Sequence, residues 1–312
     1  MSAEHKFFSK ILLFGEYGVI CDSMGLSIPF ENYRGKWHFV KNKTKNPAAS
    51  DLNLLALWKY MAELEENGEM LARFDLEQFK KDIDNGLIFQ STIPQGFGIG
   101  SSGALCAAFY DKYALDKIEV AGDEQNIIRL KKVFAQMESF FHGISSGLDP
   151  LNCYLKKPLL IRNKDLIQFA DMAESHDKHQ IHAFLINTGK PGKTGPLVNL
   201  FFDKCREHHF YKKFRTEFIP LNNECITSFL KGDAHAFFHS VKELSKFTLK
   251  HFEPMIPEPF RPLWKKGLET SLYFLKLCGS GGGGFLLGFT HEPEKARAHF
   301  AAQQIEFISI KE

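Results

Sequence analysis

Neither sign of charge is in excess in this 312-residue sequence: 39 Lys and Arg stand against 37 Asp and Glu, a formal net charge of +2. A chain so balanced has no whole-molecule field to attract nucleic acid or an anionic membrane, so any chemistry on phosphate has to be local. No apolar run reaches the length of a membrane span. The opening stretch MSAEHKFFSKILLFGEYGVI places a basic residue before an apolar run, but Gly15 and Glu16 interrupt that run and no small-residue cleavage site follows. This argues against a signal peptide or an anchor. Cysteine is sparse and dispersed. Cys21, Cys106, Cys153, Cys205, Cys225 and Cys278 include no close pair of the metal-binding or redox type, and most lie in apolar contexts such as ALCAAF and LKLCGS. They read as core thiols of a reducing, cytoplasmic setting. The sequence also has no internal repeat and no low-complexity segment.

What is present suffices for a core. Hydrophobic residues make up 44% of the chain and charged residues 24%, ordinary values for a globular protein, and the length suggests about two domains. FFSKILLFGEYGVI and GKWHFVKN read as strands, and DLNLLALWKYMAELEENG as an Asp-capped amphipathic helix that stops at Gly68. LIFQSTI predicts another strand, DEQNIIRLKKVFAQMESFFHG a long helix ending near Gly143, and ISSGLDP a turn into the strand-like LNCYL. From about residue 170 come the strand IHAFLINTG, several helices, the strand pair SLYFLKLCG and GFLLGFT, a helix after Pro293 and a last strand IEFISI. Strands and helices segregate rather than alternate strictly, which predicts two α+β domains.

Residues 94–105, PQGFGIGSSGAL, crowd four glycines and two serines between a strand and a helix. Glycine loses the most backbone freedom on ordering, so such a run needs a reason. Helix signals place Ser101 or Ser102 at the N-cap, which points free first-turn amides and the positive end of the helix dipole back into the loop. That is the geometry of a phosphate cradle. No Lys-Ser/Thr pair ends the loop, so it is not a Walker A loop, and its serines separate it from the dinucleotide fingerprint. The bland alternative for the loop alone is a glycine-rich connection with an ordinary serine cap.

Three further stretches bear on that choice. SKILLFGEYGVI carries Lys10 and Glu16, MESFFHGISSGLDP carries Glu138 and Asp149, and KLCGSGGGGFLLGF spans 276–289. Singly, Lys10 reads as a strand-edge charge, Glu138 as a solvated helix residue and Asp149 as a turn former before Pro150. Jointly and in this order, the stretches resemble the motif set of the GHMP kinases, which phosphorylate galactose, homoserine, mevalonate and phosphomevalonate. Within that family the similarity is greatest to the branch acting on mevalonate. Its first motif, a lysine, an apolar run and F-G-E-H-A-V-V, is matched by KILLFGEYGVI, and its H-G-x-P-S-G-x-D ending by HGISSGLD. NTGKPGKTGPLV is similar to that branch's N-T-K-V-P-R-x-T segment, which lies against the substrate.

The resemblance implies a two-domain GHMP-kinase fold: a ribosomal-protein-S5-like domain over residues 1–170 for ATP binding and catalysis, and a ferredoxin-like α/β domain over 171–312 that completes the substrate site. Gly96, Gly98, Gly100, Ser101 and Ser102 would bind the ATP phosphates, and Ser102 with Glu138 would hold Mg2+. Asp149 would accept the proton of the attacking alcohol while Lys10 keeps it ionised and stabilises developing charge. Glu16, Tyr17 and Thr194 would face the substrate, and Gly281 and Gly282 would support the phosphate loop. The implied partners are ATP and a small alcohol, with mevalonate the acceptor this branch suggests, and neither nucleic acid nor membrane; a homodimer stays open.

Departures from the family pattern bear on the substrate. Tyr17 stands where the branch commonly has histidine, GSSG replaces G-S-S-A, a change that reads as small, and Ile144 and Ser145 replace a polar residue and a proline. An acceptor such as phosphomevalonate or homoserine therefore stays open, Lys190 and Lys193 offering charge for a phosphorylated one. So does a non-catalytic sensor on the same fold, although such a protein could dispense with Lys10, Glu138 or Asp149. His142 reads as a helix-end residue serving the dipole. The histidines of SHDKHQIH at 175–182 read as a solvated loop, His208 and His209 as surface, and the phenylalanine-rich stretches as core.

Overall fold

The computed structural model describes residues 5–40, 49–121, 123–171 and 181–310. The chain forms two compact units, one from Met1–Lys10, Pro29–Pro94 and Gly100–Lys157, the other from Ile11–Ile28, Gln95–Ile99 and Pro158–Glu312. Sequence patterning suggests two consecutive blocks meeting near residue 170. Packing instead groups 11–28 and 95–99 with the C-terminal part, because strand pairing joins Gly25–Ser27 to Leu159–Ile161 far along the chain.

The first unit takes the start of β1 (Phe7–Phe14) and most of β2 (Gly25–Phe39). It continues through α1 (Ala49–Glu66), α2 (Leu76–Asp84), β3 (Leu87–Ser91), α3 (Ser101–Tyr113), α4 (Glu124–His142) and α5 (Leu148–Leu155). β2 pairs antiparallel with β3, from Gly35 opposite Ser91 to Phe39 opposite Leu87. α1 begins at Ala49, so Asp51 lies inside the helix rather than capping it. α3 is apolar nearly all round, with Gly103 to Tyr110 and Tyr113 buried, the mark of a central helix. Its rings lock into neighbours: Phe109 lies 4.7 Å from Phe79, and Tyr110 lies 5.2 Å from Phe134 and 5.1 Å from Tyr154.

The stretch LNCYL is helical, not extended: it belongs to α5, which starts after Gly147 in a left-handed conformation. A short apolar run is ambiguous between strand and helix. Here Pro150 falls in the first turn, where no intrahelical donor is needed, and Asp149 favours the positive helix end.

The second unit holds the end of β1, a tight turn at Gly18–Cys21, the start of β2 and the loop 95–99. Then come β4 (Leu159–Asn163), β5 (Leu166–Phe169), β6 (His182–Asn187), α6 (Thr194–Arg206) and α7 (His208–Lys213), which runs through a wider turn at Phe214–Phe218 into α8 (Ile219–Lys231). α9 (Ala234–His251), α10 (Arg261–Thr270), β7 (Phe274–Leu277), β8 (Phe285–Thr290), α11 (Pro293–Ala301) and β9 (Phe307–Ser309) complete it. Strands in the order β7-β8-β6-β9 form an antiparallel sheet from the four C-terminal strands expected of the sequence. Most of the phenylalanines are core, Phe39 and Phe202 being exposed: Phe14 stacks on Phe289 at 5.2 Å, and Phe201, Phe210, Phe214, Phe218, Phe247 and Phe252 form one aromatic cluster. His208 and His209 are exposed. No helix among the described residues is long and apolar enough to cross a membrane.

One close approach in the first unit sets the position of α5. A Cβ added at Gly103 would lie 2.9 Å from the Asp149 carbonyl carbon and from the Pro150 nitrogen. The G-S-S-A to GSSG exchange is therefore not small in this chain, since α3 and α5 meet where a methyl group has no room. Gly103→Ala is expected to cost about 1–3 kcal/mol, the scale of overpacking, and denaturant melts of the two proteins measure it; equal midpoints would show that α5 moves aside freely.

Candidate active site

Lys10 is the one charged side chain on the buried face of β1, 3% exposed. A buried ammonium needs an anion within contact, and Asp149 Oδ1 lies 2.8 Å from its Nζ. The aspartate side chain, in the first turn of α5, is 38% exposed, so the pair is closed on the lysine side and open on the carboxylate side. Gly100 covers the lysine stem. Its φ of +79° is left-handed, and a Cβ there would lie 3.0 Å from Lys10 Cγ, two demands that glycine alone meets.

Gly100, not a serine, is the N-cap of α3, and no side chain caps the helix. The hydroxyl expected to cap is engaged elsewhere: Ser102 donates to Glu138 Oε1 at 2.9 Å, a charge-assisted bond stronger than a neutral cap. No side chain therefore caps the first-turn amides of α3. Glu138 is 4% exposed rather than solvated, and its Oε2 accepts from Ser145 at 2.5 Å, whose oxygen in turn accepts from the Gly147 amide at 3.0 Å. Burial first, and then the charge of Asp149, push the Glu138 carboxyl up to about 7, against the opposing effect of the two serine hydroxyls and Lys10.

His142 Nε2 stands 3.0 Å from Ser102 Oγ. A hydroxyl has one proton, and with that proton directed at Glu138 the imidazole is the donor to Ser102. His142 thus serves Ser102 rather than only the helix dipole. The signal for it was in the sequence, since Glu138 and His142 are four residues apart on one helix face. Ser145 had no such signal, because its bond closes through the turn before α5.

Ser102 and Glu138 present one neutral and one anionic oxygen in a buried place, a donor set suited to a hard cation. Among the described residues no group of three or more His, Cys, Asp or Glu could hold an ion unaided. A magnesium ion at this pair would complete its shell from nucleotide oxygens and water. The histidines at 176 and 179 lie outside the described residues.

The second unit has its own polar cluster. Glu16 Oε2 pairs with Lys276 Nζ at 2.6 Å, both side chains buried, and Lys276 also donates to the Leu277 carbonyl at 2.9 Å. Lys276 was not anticipated, though a lone lysine within the apolar run LYFLKLCG is a legible oddity. Tyr17 is 5% exposed, its ring lying 4.7 Å from Phe201 and 5.5 Å from Phe252. Its hydroxyl donates to the Ser280 carbonyl at 2.6 Å, and burial, then the Glu16 charge, hold the phenol well above its usual range. The Ser280 hydroxyl donates to Thr194 Oγ1 at 3.3 Å. Gly281 and Gly282 turn beside Met255, whose carbonyl accepts from the Gly282 amide at 2.7 Å. Gly96 and Gly98 also belong to this unit. The Gly96 carbonyl accepts from the Gly192 amide at 2.8 Å, and a Cβ on Gly98 would lie 2.7 Å from the Cys278 carbonyl oxygen, so the two glycine loops touch backbone to backbone.

Residues 54–157 match the family model of the GHMP kinases N terminal domain. No curated protein sequence matches the chain. Among solved structures, the L. major mevalonate kinase in complex with R-mevalonate is similar at 14% identity and a TM-score of 0.68, over 100% of this chain and 96% of that one. The Streptococcus pneumoniae phosphomevalonate kinase, in complex with phosphomevalonate and AMPPNP, is similar at 14% identity and a TM-score of 0.63, over 98% and 99% of the two chains. The Lactococcus lactis galactokinase complexed with galactose is similar at 14% identity and a TM-score of 0.64, over 99% and 94%. The fold shared with all three is the α+β fold of these kinases, and it does not distinguish their acceptors.

The raised Glu138 carboxyl has a measurable consequence. With a folded value of about 7 against the ordinary 4.5, the folded state keeps a proton that the unfolded chain releases between those limits. Stability is then highest below the unfolded value and is lost as pH rises through the folded one. Glu138→Gln removes that loss. Without nucleotide or metal, its melting temperature relative to the parent is expected to be higher at pH 8 than at pH 5; a difference independent of pH would show that Glu138 is not raised.

Proposed function

From a chain that carries the N-terminal domain of the GHMP kinases and the fold of those small-molecule kinases, we propose that this protein transfers the γ-phosphate of ATP to a small alcohol, with the primary hydroxyl of mevalonate as acceptor. The observation that carries the reading is the Lys10–Asp149 pair, held in the same unit as the Ser102–Glu138 pair and felt by it electrostatically. Phosphoryl transfer asks for positioning and charge neutralisation more than covalent chemistry. Those two pairs are one base with a cation and one oxygen pair for a metal.

In this reading Asp149, open to solvent on one side, takes the alcohol proton on its carboxylate. Lys10 keeps that carboxylate ionised and offsets negative charge as the new bond forms. The first-turn amides of α3, with Gly100, Ser101 and Ser102, bind the phosphates, a role assigned to Gly96 and Gly98 as well. Ser102 and Glu138 hold Mg2+, which when bound neutralises phosphate charge, and His142 and Ser145 keep those two oxygens in place. Glu16, Tyr17 and Thr194 are assigned to the acceptor, Tyr17 through its ring because Ser280 engages its hydroxyl. Gly281 and Gly282 are assigned to supporting the phosphate loop. The motif order favours mevalonate; Lys190 and Lys193, both exposed, would favour a phosphorylated acceptor.

A panel of small alcohols with ATP, read as ADP release, tests the acceptor. Mevalonate is expected to give the highest kcat/KM, a preference for phosphomevalonate would reassign the acceptor, and ADP release with none of them would remove the kinase reading. Asp149→Asn tests the base: kcat is expected to fall by about 10²–10⁴, the scale of general-base loss, while the ATP dissociation constant changes little. Near-normal turnover would exclude Asp149 from that role.

A further inference from the structure

Of its 13 residues, α3 buries nine and α8 buries five, whereas α6, equally long, buries only Phe201. A helix of this length is marginal in water by itself and takes its stability from packing an amphipathic face. Phe201 supplies the inward face of α6, within the aromatic cluster. The outward face, Asn199, Phe202, Asp203 and Arg206, follows the i, i+3, i+4, i+7 spacing of a single helical stripe and is exposed throughout. Phe202 on it is 45% exposed. An open hollow of about 580 Å³ lies against this stripe, lined by the same four residues and Cys205. Among the described residues no other element lines it. Asp203 and Arg206 pair at 2.8 Å, and an exposed pair of that kind contributes little on its own. Its consequence is geometric: an acid and a base three residues apart on one helix make a face complementary to its own copy laid antiparallel.

We propose that the outward face of α6 is an interaction surface for a second copy of this chain, the two α6 helices packing antiparallel about a twofold axis. In that arrangement Asp203 of each copy meets Arg206 of the other, so one contact is made twice. The axis then passes midway between positions 203 and 206, and it brings Cys205 of one copy beside Cys205 of the other. Phe202 of each copy enters the other's hollow and is the apolar anchor of the contact. Self-complementarity is what selects a second copy, because a partner surface of either single sign meets repulsion from Asp203 or from Arg206. The contact rests on one short helix, so its dissociation constant is expected on the order of 10 µM. The surface does not depend on the kinase reading, and Phe202, Asp203, Cys205 and Arg206 are not among the residues assigned to nucleotide, metal or acceptor.

Sedimentation equilibrium of the full-length protein over about 1–300 µM, a range that brackets this value, is expected to show a monomer–dimer equilibrium that weakens as salt is raised. Asp203→Arg and Arg206→Asp each set like charges opposite one another twice, and each is expected to weaken the dimer about tenfold or more. The double exchange makes the face self-complementary again and is expected to restore association to near the parental value. Phe202→Ser is expected to weaken it as well. All four side chains are on the surface, so the melting temperatures of the monomers should stay close to that of the parent. A short bis-maleimide is expected to join Cys205 to Cys205 between copies of the parent and of Cys21→Ser, and to join none in Cys205→Ser. A monomer throughout the range, a dimer that both single exchanges leave intact, failure of the double exchange to restore association, or cross-links that exclude Cys205 would overturn the proposal.

Discussion

An ammonium withdrawn from water must be met by an anion, and at Lys10 that requirement organises the first unit. The charge sits on the inward face of β1, and its partner, Asp149, comes from a helix more than a hundred residues later. Bringing the two to 2.8 Å takes a bare backbone at Gly100 over the lysine stem and a bare α-carbon at Gly103 against the start of α5. The glycines of this loop thus serve two purposes at once. They leave the head of α3 without a side-chain cap, and they let the lysine, the aspartate and that helix end occupy one small volume.

Glu138 shows the cost of the same compactness. Its carboxylate is buried near a second carboxylate, and two serine hydroxyls only partly offset the resulting penalty. Such a group costs the folded protein stability as its carboxyl ionises in place. The second unit carries a different solution. Glu16 and Lys276 bury opposite charges in contact, which neutralises both without any ligand.

Much of this was legible in the residues. The strand before the glycine loop and the helix after it, the long helix ending at His142, the hairpin through the tetraglycine and the last helix and strand all follow from periodicity and turn chemistry. The order of Lys10, the glycine loop, Glu138 and Asp149 carried the resemblance to the family whose N-terminal domain model matches residues 54–157. What was not legible depends on tertiary contact. LNCYL is too short for its period to separate strand from helix, and Pro150 decides it only once α5 packs on α3. The serine cap gave way to Glu138, which no local signal announces. Pairing of Gly25–Ser27 with β4 draws 11–28 into the second unit, and Lys276 meets Glu16 across a long stretch of chain.

The central claim is that the Lys10–Asp149 pair belongs to the transfer step and is not merely a buried structural bridge. Single-turnover transfer of the γ-phosphate, with enzyme in excess and both substrates saturating, separates the chemical step from binding and product release. For Lys10→Met the account predicts a folded protein that binds ATP near normally and transfers phosphate slower by about 10² or more, the scale of losing one preorganised charge at a reacting centre. A folded Lys10→Met protein with an unchanged single-turnover rate would contradict it.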